Sequence, residues 1–143
     1  MSPKERFENN VELIAGGVSQ EKIEEAEDKL GVIFPHEYKE FLSSFGAGGI
    51  CGHYIYGLVD SEKNDPPLWE DVVVNTQRLR KSAGYWEENA HFIPISDDGM
   101  GMTFFLDARK SPETHIWAIG PGVEKLVSVG FYKFFIDFSE GEL

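Results

Sequence analysis

The residues best suited to chemistry in this sequence are carboxylates. Asp97 and Asp98 stand side by side before Gly99, and Asp107 closes the apolar run that follows. A hairpin turning at Gly99 could bring the three together, and carboxylates in unlike environments can split their pKa values for acid–base work. Asp-Asp-Gly is also ordinary turn chemistry, with side chains accepting from backbone amides, and this reading is preferred. A calcium loop beginning at Asp97 fails at its twelfth position, where Ala108 stands instead of a bidentate Glu.

The other candidates are weaker. Cys51 and His53 lie two apart on a predicted strand and hence on one face, but no second Cys or close His pair completes a metal site. His91 and His115 could be neighbours only if the fold pairs their strands, and His36 stands alone. The single Cys51 has no activating signature as a nucleophile. Gly46-Ala-Gly48-Gly49 follows a helical pattern and lacks the Lys-Ser/Thr pair of a phosphate loop, while Gly99-Met-Gly101 lacks a third glycine. Both clusters read as backbone freedom at tight turns. The expectation is a chain with no catalytic residue, no metal and no cofactor, and not an enzyme.

Tryptophans offer recognition rather than catalysis. Trp69 precedes Glu70 and Asp71, and Trp86 precedes Glu87 and Glu88. An aromatic anchor rimmed by acids suits a basic surface. The competing reading is a half-buried ring beside a solvated face; the two stand level for Trp69, and the second is favoured for Trp86. Trp117, in the apolar run His115-Ile-Trp-Ala-Ile, reads as core.

Charge narrows the partner. The 143 residues carry 25 acidic against 13 basic side chains, a formal net charge of −12. Such a field repels nucleic acid and anionic membranes and steers basic partners inward, although acidity for solubility alone is equally consistent with it. The length predicts one domain over residues 1–143, with 41% hydrophobic residues supporting a real core. One cysteine, no apolar leader and no membrane-length apolar run predict a soluble cytoplasmic protein.

The elements that must position these residues follow from periodicity. A first helix is expected within 3–14, from Phe7, Val11 and Ile14. Ser19 caps a second, with Ile23, Ala26 and Leu30 on one face and Gly31 as its stop. Pro35 opens a third, in which Tyr38, Phe41, Leu42 and Phe45 repeat at helical spacing. Residues 49–59 read as strand, with Gly52 and Gly57 marking bulges or close packing. Residues 61–67 form a loop, and 68–82 a helix despite the β-branched Val72-Val-Val74. Strands follow at 91–96, with Pro94 implying an edge or a bulge, at 102–107 and at 114–119. Residues 123–129 are ambiguous and admit a last strand. Phe131, Phe134, Phe135 and Phe138 predict a closing aromatic helix. The class is α+β with a mostly antiparallel sheet.

Ile23-x-x-x-Glu27-x-x-Leu30-Gly31, then Pro35-x-x-Tyr38-x-x-Phe41-Leu42, then Gly46 and Gly48-Gly49, resembles the opening of the SUKH superfamily. Ile93-Pro-Ile-Ser-Asp97, the run from Gly101 to Asp107, and Ser128 with Phe131, Phe134 and Phe135 are similar to its central strands and closing helix. That family is named partly for yeast cell-wall-synthesis regulators, and its bacterial members look like immunity proteins. The resemblance implies a SUKH-type domain that binds and neutralises a cognate toxin, many such toxins being nucleases with basic clefts. The expected partner-binding face comprises Asp60, Trp69, Glu70, Asp71, Asp97, Asp98 and Asp107, on the assumption that the loop after the first strand and the central hairpin share a side. A regulatory scaffold binding another basic protein is the alternative, and a small hydrolase using the acidic turn is a third reading. No direct nucleic-acid or membrane contact is expected.

Overall fold

The computed structural model describes residues 1–59, 69–82, 89–110 and 112–142. Along the chain run α1 (Pro3–Asn10), β1 (Leu13–Ile14), α2 (Gln20–Leu30), α3 (His36–Ser44), β2 (Gly48–Ile50) and β3 (His53–Ile55). There follow α4 (Val72–Arg80), β4 (Phe92–Asp97), β5 (Thr103–Asp107), β6 (His115–Gly120), β7 (Val123–Val129) and α5 (Phe131–Ser139). The strands form two antiparallel sheets, one ordered β1-β2-β3 and the other β4-β5-β6-β7. The fold is α+β, with aromatic α5 at its close.

The opening helices form where their caps dictate. Ser19 Oγ accepts from the Lys22 N–H, and Gly31 ends α2 in the left-handed region at φ 70°. Glu27, in the middle of the family pattern, is only 6% exposed. Its Oε2 accepts from the Phe34 N–H at 2.7 Å and lies 3.5 Å from Lys39 Nζ, fixing the α2–α3 turn. α1 is shorter than the Phe7–Ile14 spacing predicts. It ends at Asn10, and Ile14 instead pairs in β1 with Gly48 of β2. The predicted strand over 49–59 is likewise two short strands. Cys51 (φ 50°) and Gly52 (φ 81°) make the two-residue turn between them, the conformation that suits a right-twisted hairpin.

The core is aromatic. Phe7 packs on Phe41, Phe45, Tyr132 and Phe135, drawing α1, α3 and α5 together. Fully burying a ring of this kind stabilises the fold by about 1.5–3 kcal/mol. Phe104 of β5 meets Phe134 and Phe138, so α5 covers one face of the larger sheet. Gly57 is required by proximity: a Cβ there would lie 1.9 Å from the Gly46 carbonyl oxygen. Hydrogen bonds join the sheets side by side. The Tyr56 N–H donates to Ile95 O, and Ser96 Oγ donates to Tyr54 O, each at 2.8 Å. Pro94 lies on edge strand β4, at a register shift between Pro94 and Ser96.

Candidate partner-binding face

Tyr38 begins the link from scaffold to site. Buried in α3, it donates its hydroxyl to the Tyr56 carbonyl at 2.7 Å. Tyr56, anchored at its N–H by Ile95, then donates its own hydroxyl to Asp97 Oδ2 at 2.6 Å. The other oxygen of Asp97 accepts from the Gly99 N–H at 2.8 Å. Asp98 Oδ1 accepts from the Met100 and Met102 N–H groups at 2.8 and 3.1 Å. The β4–β5 turn is therefore built by its acids, as Asp-Asp-Gly predicts. Asp97 remains exposed and Asp98 half-buried.

Glu70, on a separate segment, is tied to the residue that follows Tyr56. The Gly57 N–H donates to its carbonyl at 2.9 Å, and its carboxylate accepts from Asn75 Nδ2 at 3.0 Å. Burial pushes the Tyr56 hydroxyl well above its usual pKa. The hydrogen bond to Asp97, then the charges of Asp97 and Glu70, push it further, against Arg78. Tyr56 stays a neutral donor to Asp97. Trp69, half-buried, immediately precedes Glu70.

The remaining expected residues separate from this centre. Asp71 caps α4, accepting from the Val74 N–H at 2.9 Å. It lines a groove between α2 and α4 with Lys22 and Lys29. Asp60 lies outside the described residues, as does Trp86 with Glu87 and Glu88. Asp107 requires a correction. The register pairs Asp97 with Thr103 but Asp107 with Phe92. Asp107 thus sits at the opposite end of the hairpin, roughly 13 Å along the strand. It is 1% exposed, and its two oxygens accept from Arg109 Nε and Nη2, each at 3.0 Å. Burial alone would raise its pKa, but the hydrogen bonds and charge of Arg109 overcome this and hold it below the usual carboxylate value. It is a structural anion with no surface to offer a partner.

The geometry also places the histidines and the cysteine. His91 precedes β4 and His115 begins β6, with β5 between them. Two strand spacings, about 10 Å, separate such positions. Burial lowers the pKa of His91, Arg109 lowers it further, and Asp107 opposes. Cys51 lies in the turn instead of on a strand beside His53, and its N–H donates to the Glu12 carboxylate. Among the described residues no three His, Cys, Asp or Glu side chains are grouped as a metal ion would need. No helix among them is long and apolar enough to cross a membrane.

Sequence reasoning missed Tyr56 as the post beneath Asp97, and it missed Met100, 83% exposed at the tip of the same turn. A methionine set among Asp and Gly residues at a turn was the available signal for the second. The first had none, because its role depends on contact between the two sheets.

Helices flanking consecutive antiparallel strands define a small α+β fold. A SUKH-family model described as SMI1-KNR4 cell-wall matches residues 4–138, and the chain belongs to that family. No curated protein matches it.

Proposed function

We propose that this protein is an immunity protein: a non-catalytic antitoxin that binds a cognate polymorphic toxin stoichiometrically. It would occlude a basic active-site cleft, most naturally that of a nuclease. The observation that supports the reading is the acidic β4–β5 turn, in which hydrogen bonds fix Asp97 and Asp98, on a chain with a net charge of −12 that belongs to the SUKH family. Carboxylates fixed at one end of the molecule imitate phosphates, and the overall field accelerates encounter with a basic cleft. Their hydrogen bonds to Tyr56, Gly99 and Asn75 hold them in place before binding, which limits the ordering cost of association.

The face is smaller than the sequence implied. It consists of Asp97, Asp98 and Glu70 with Trp69 beside them, while Asp71 belongs to the neighbouring α2–α4 groove. The test is co-expression with the toxin candidate encoded beside this gene, scoring survival and co-purification. Wild type should protect and co-purify. The Glu70→Lys/Asp97→Lys double variant should stay folded and lose protection, with affinity down about a hundredfold for two close charge pairs of roughly 1.5 kcal/mol each. A double variant that still protects would move the interface elsewhere on the molecule.

A further inference from the structure

Beside the acidic turn lies a groove of about 360 Å³ that the charge argument does not use. Its floor is apolar. Phe104 and Phe138 lie there with ring centroids 4.9 Å apart, and Met102 continues the surface. His53 forms one wall by stacking on Phe138, with centroids 4.1 Å apart and planes at 27°. Met100 forms the lip. The Asp97 and Asp98 hydrogen bonds shape the turn that carries it, yet its side chain is 83% exposed. Nothing about the turn requires a large apolar residue there, and a flexible thioether is well suited to moulding around a partner.

The electrostatics of the groove have a direction. Asp98 stands at the Met100 end, and its hydrogen bonds to Met100 and Met102 both use Oδ1, leaving Oδ2 toward other donors. The C-terminal end of α5 reaches the groove at Gly141, and α5 has no basic residue in its last turn. The negative end of that helix dipole is therefore uncompensated within the helix. Among the described residues Lys125 is the one Lys or Arg that lines the groove. A groove of this size holds one large side chain. Its charges favour an apolar group with a cation at the Asp98 end and neutral backbone at the Lys125 end.

We propose that this groove is the anchoring pocket for the basic partner, taking one aromatic or large aliphatic side chain that is flanked by Arg or Lys. Asp98 then pairs with the flanking cation, while Phe104, Phe138, Met102 and Met100 enclose the apolar group. The partner's identity rests on the immunity reading, but the chemistry of the groove does not, and the experiment separates the two.

The first arm uses tryptamine and indole-3-acetate, which share a ring and differ in charge, followed by amide chemical shifts of the labelled full chain. Tryptamine at millimolar concentration should shift Gly99, Met100, Met102 and His53 saturably. Indole-3-acetate should bind at least about fivefold more weakly, and Asp98→Asn should narrow that gap. Absence of saturable shifts at these residues, or equal binding of the two probes, overturns the proposal. The second arm measures affinity for the toxin domain encoded beside the gene. Met100→Lys, at an exposed site that leaves the core intact, should weaken it about tenfold or more, as loss of an interface anchor does. Asp28→Lys, exposed on α2, should change it less than about threefold, as a charge off the interface would. Equal binding by wild type and Met100→Lys also overturns the anchoring pocket. If wild type fails to bind the toxin domain, the immunity reading falls, and the probe arm still decides the groove.

Discussion

Asp97 and Asp107 occupy the two ends of one hairpin and lead opposite lives. Asp97 is exposed, shares its carboxylate between the Tyr56 hydroxyl and a turn amide, and is followed by another acid, Asp98. Asp107 is buried and takes both the backbone N–H and the guanidinium of Arg109. The residue type is the same, and both close an apolar run. What differs is what the chain supplies next. After Asp107 comes Arg109, so the charge is neutralised within its own turn. After Asp97 come Asp98, Gly99 and Met100, so the charge is repeated and an apolar residue is thrust outward. Asp107 meets its counter-ion inside its own turn, whereas Asp97 is held by neutral donors, the Tyr56 hydroxyl and the Gly99 N–H.

Substitution by Asn at each end sharpens this contrast. Asp107→Asn keeps the volume but removes the charge that Arg109 addresses through its side chain. The expected loss is about 1.5–3 kcal/mol, the range for hydrogen bonds to charged groups, read as a lower urea midpoint. Affinity for the partner should not change. The pH dependence carries the same signature. The pKa of Asp107 is depressed in the folded protein. Its contribution is therefore complete above the unfolded value of about 3.9 and fades as pH falls through the folded value, because protons then bind preferentially to the unfolded chain. Wild type should lose this stability on acidification from pH 5 toward pH 2, and Asp107→Asn should show a shallower fall over the same window. Equal slopes would mean that Arg109 does not hold the carboxylate.

A middle effect is expected at the post beneath Asp97. Tyr56→Phe removes one hydroxyl, leaving the ring and the backbone link to Ile95 in place. Stability should fall by about 1 kcal/mol for the lost hydrogen bond. Partner affinity should fall as well, because Asp97 is no longer held in position. A stability change with affinity untouched would place Tyr56 with Asp107, among purely structural groups.

The sequence made these two ends hard to distinguish, for a physical reason. Periodicity and capping are local, and the elements that depend on them were legible: Ser19 and Gly31 bound α2, Pro94 marks an edge with a bulge, and Phe131 to Phe138 form the closing helix. Val72-Val-Val74 is helical despite its β-branching. Asp71 caps that helix, and Val72 is fully buried, so tertiary packing overrides propensity. The misreadings concern partners distant in sequence. Ile14 left its helical pattern because Gly48 offered it a strand partner. Residues 49–59 divided because Cys51 and Gly52 adopt positive φ, a conformation rare for a non-glycine residue such as Cys51. Asp107 was grouped with Asp97 because hairpin register, which sends them to opposite ends, is fixed by pairing and not by composition. The sequence offered the candidate site as a set of acids and left its geometry illegible.

The smallest expected effect is the most discriminating. Asp97→Asn preserves an oxygen able to accept from the Tyr56 hydroxyl or the Gly99 N–H, and it removes only charge from an exposed position. Stability should change by less than about 0.5 kcal/mol, as for surface substitutions that keep local bonding. Affinity for a basic partner should nevertheless fall, chiefly through a slower association rate, and the deficit should shrink as salt is raised. Measured beside Asp107→Asn, this gives a crossed pair: one variant unstable with intact binding, the other stable with weakened binding. If both variants moved stability alone, the acids of the hairpin would serve only the fold, and recognition would have to lie with the apolar groove. If Asp97→Asn weakened binding equally at all salt concentrations, Asp97 would be acting by a fixed contact geometry, and the field of the whole acidic chain would contribute little to its role.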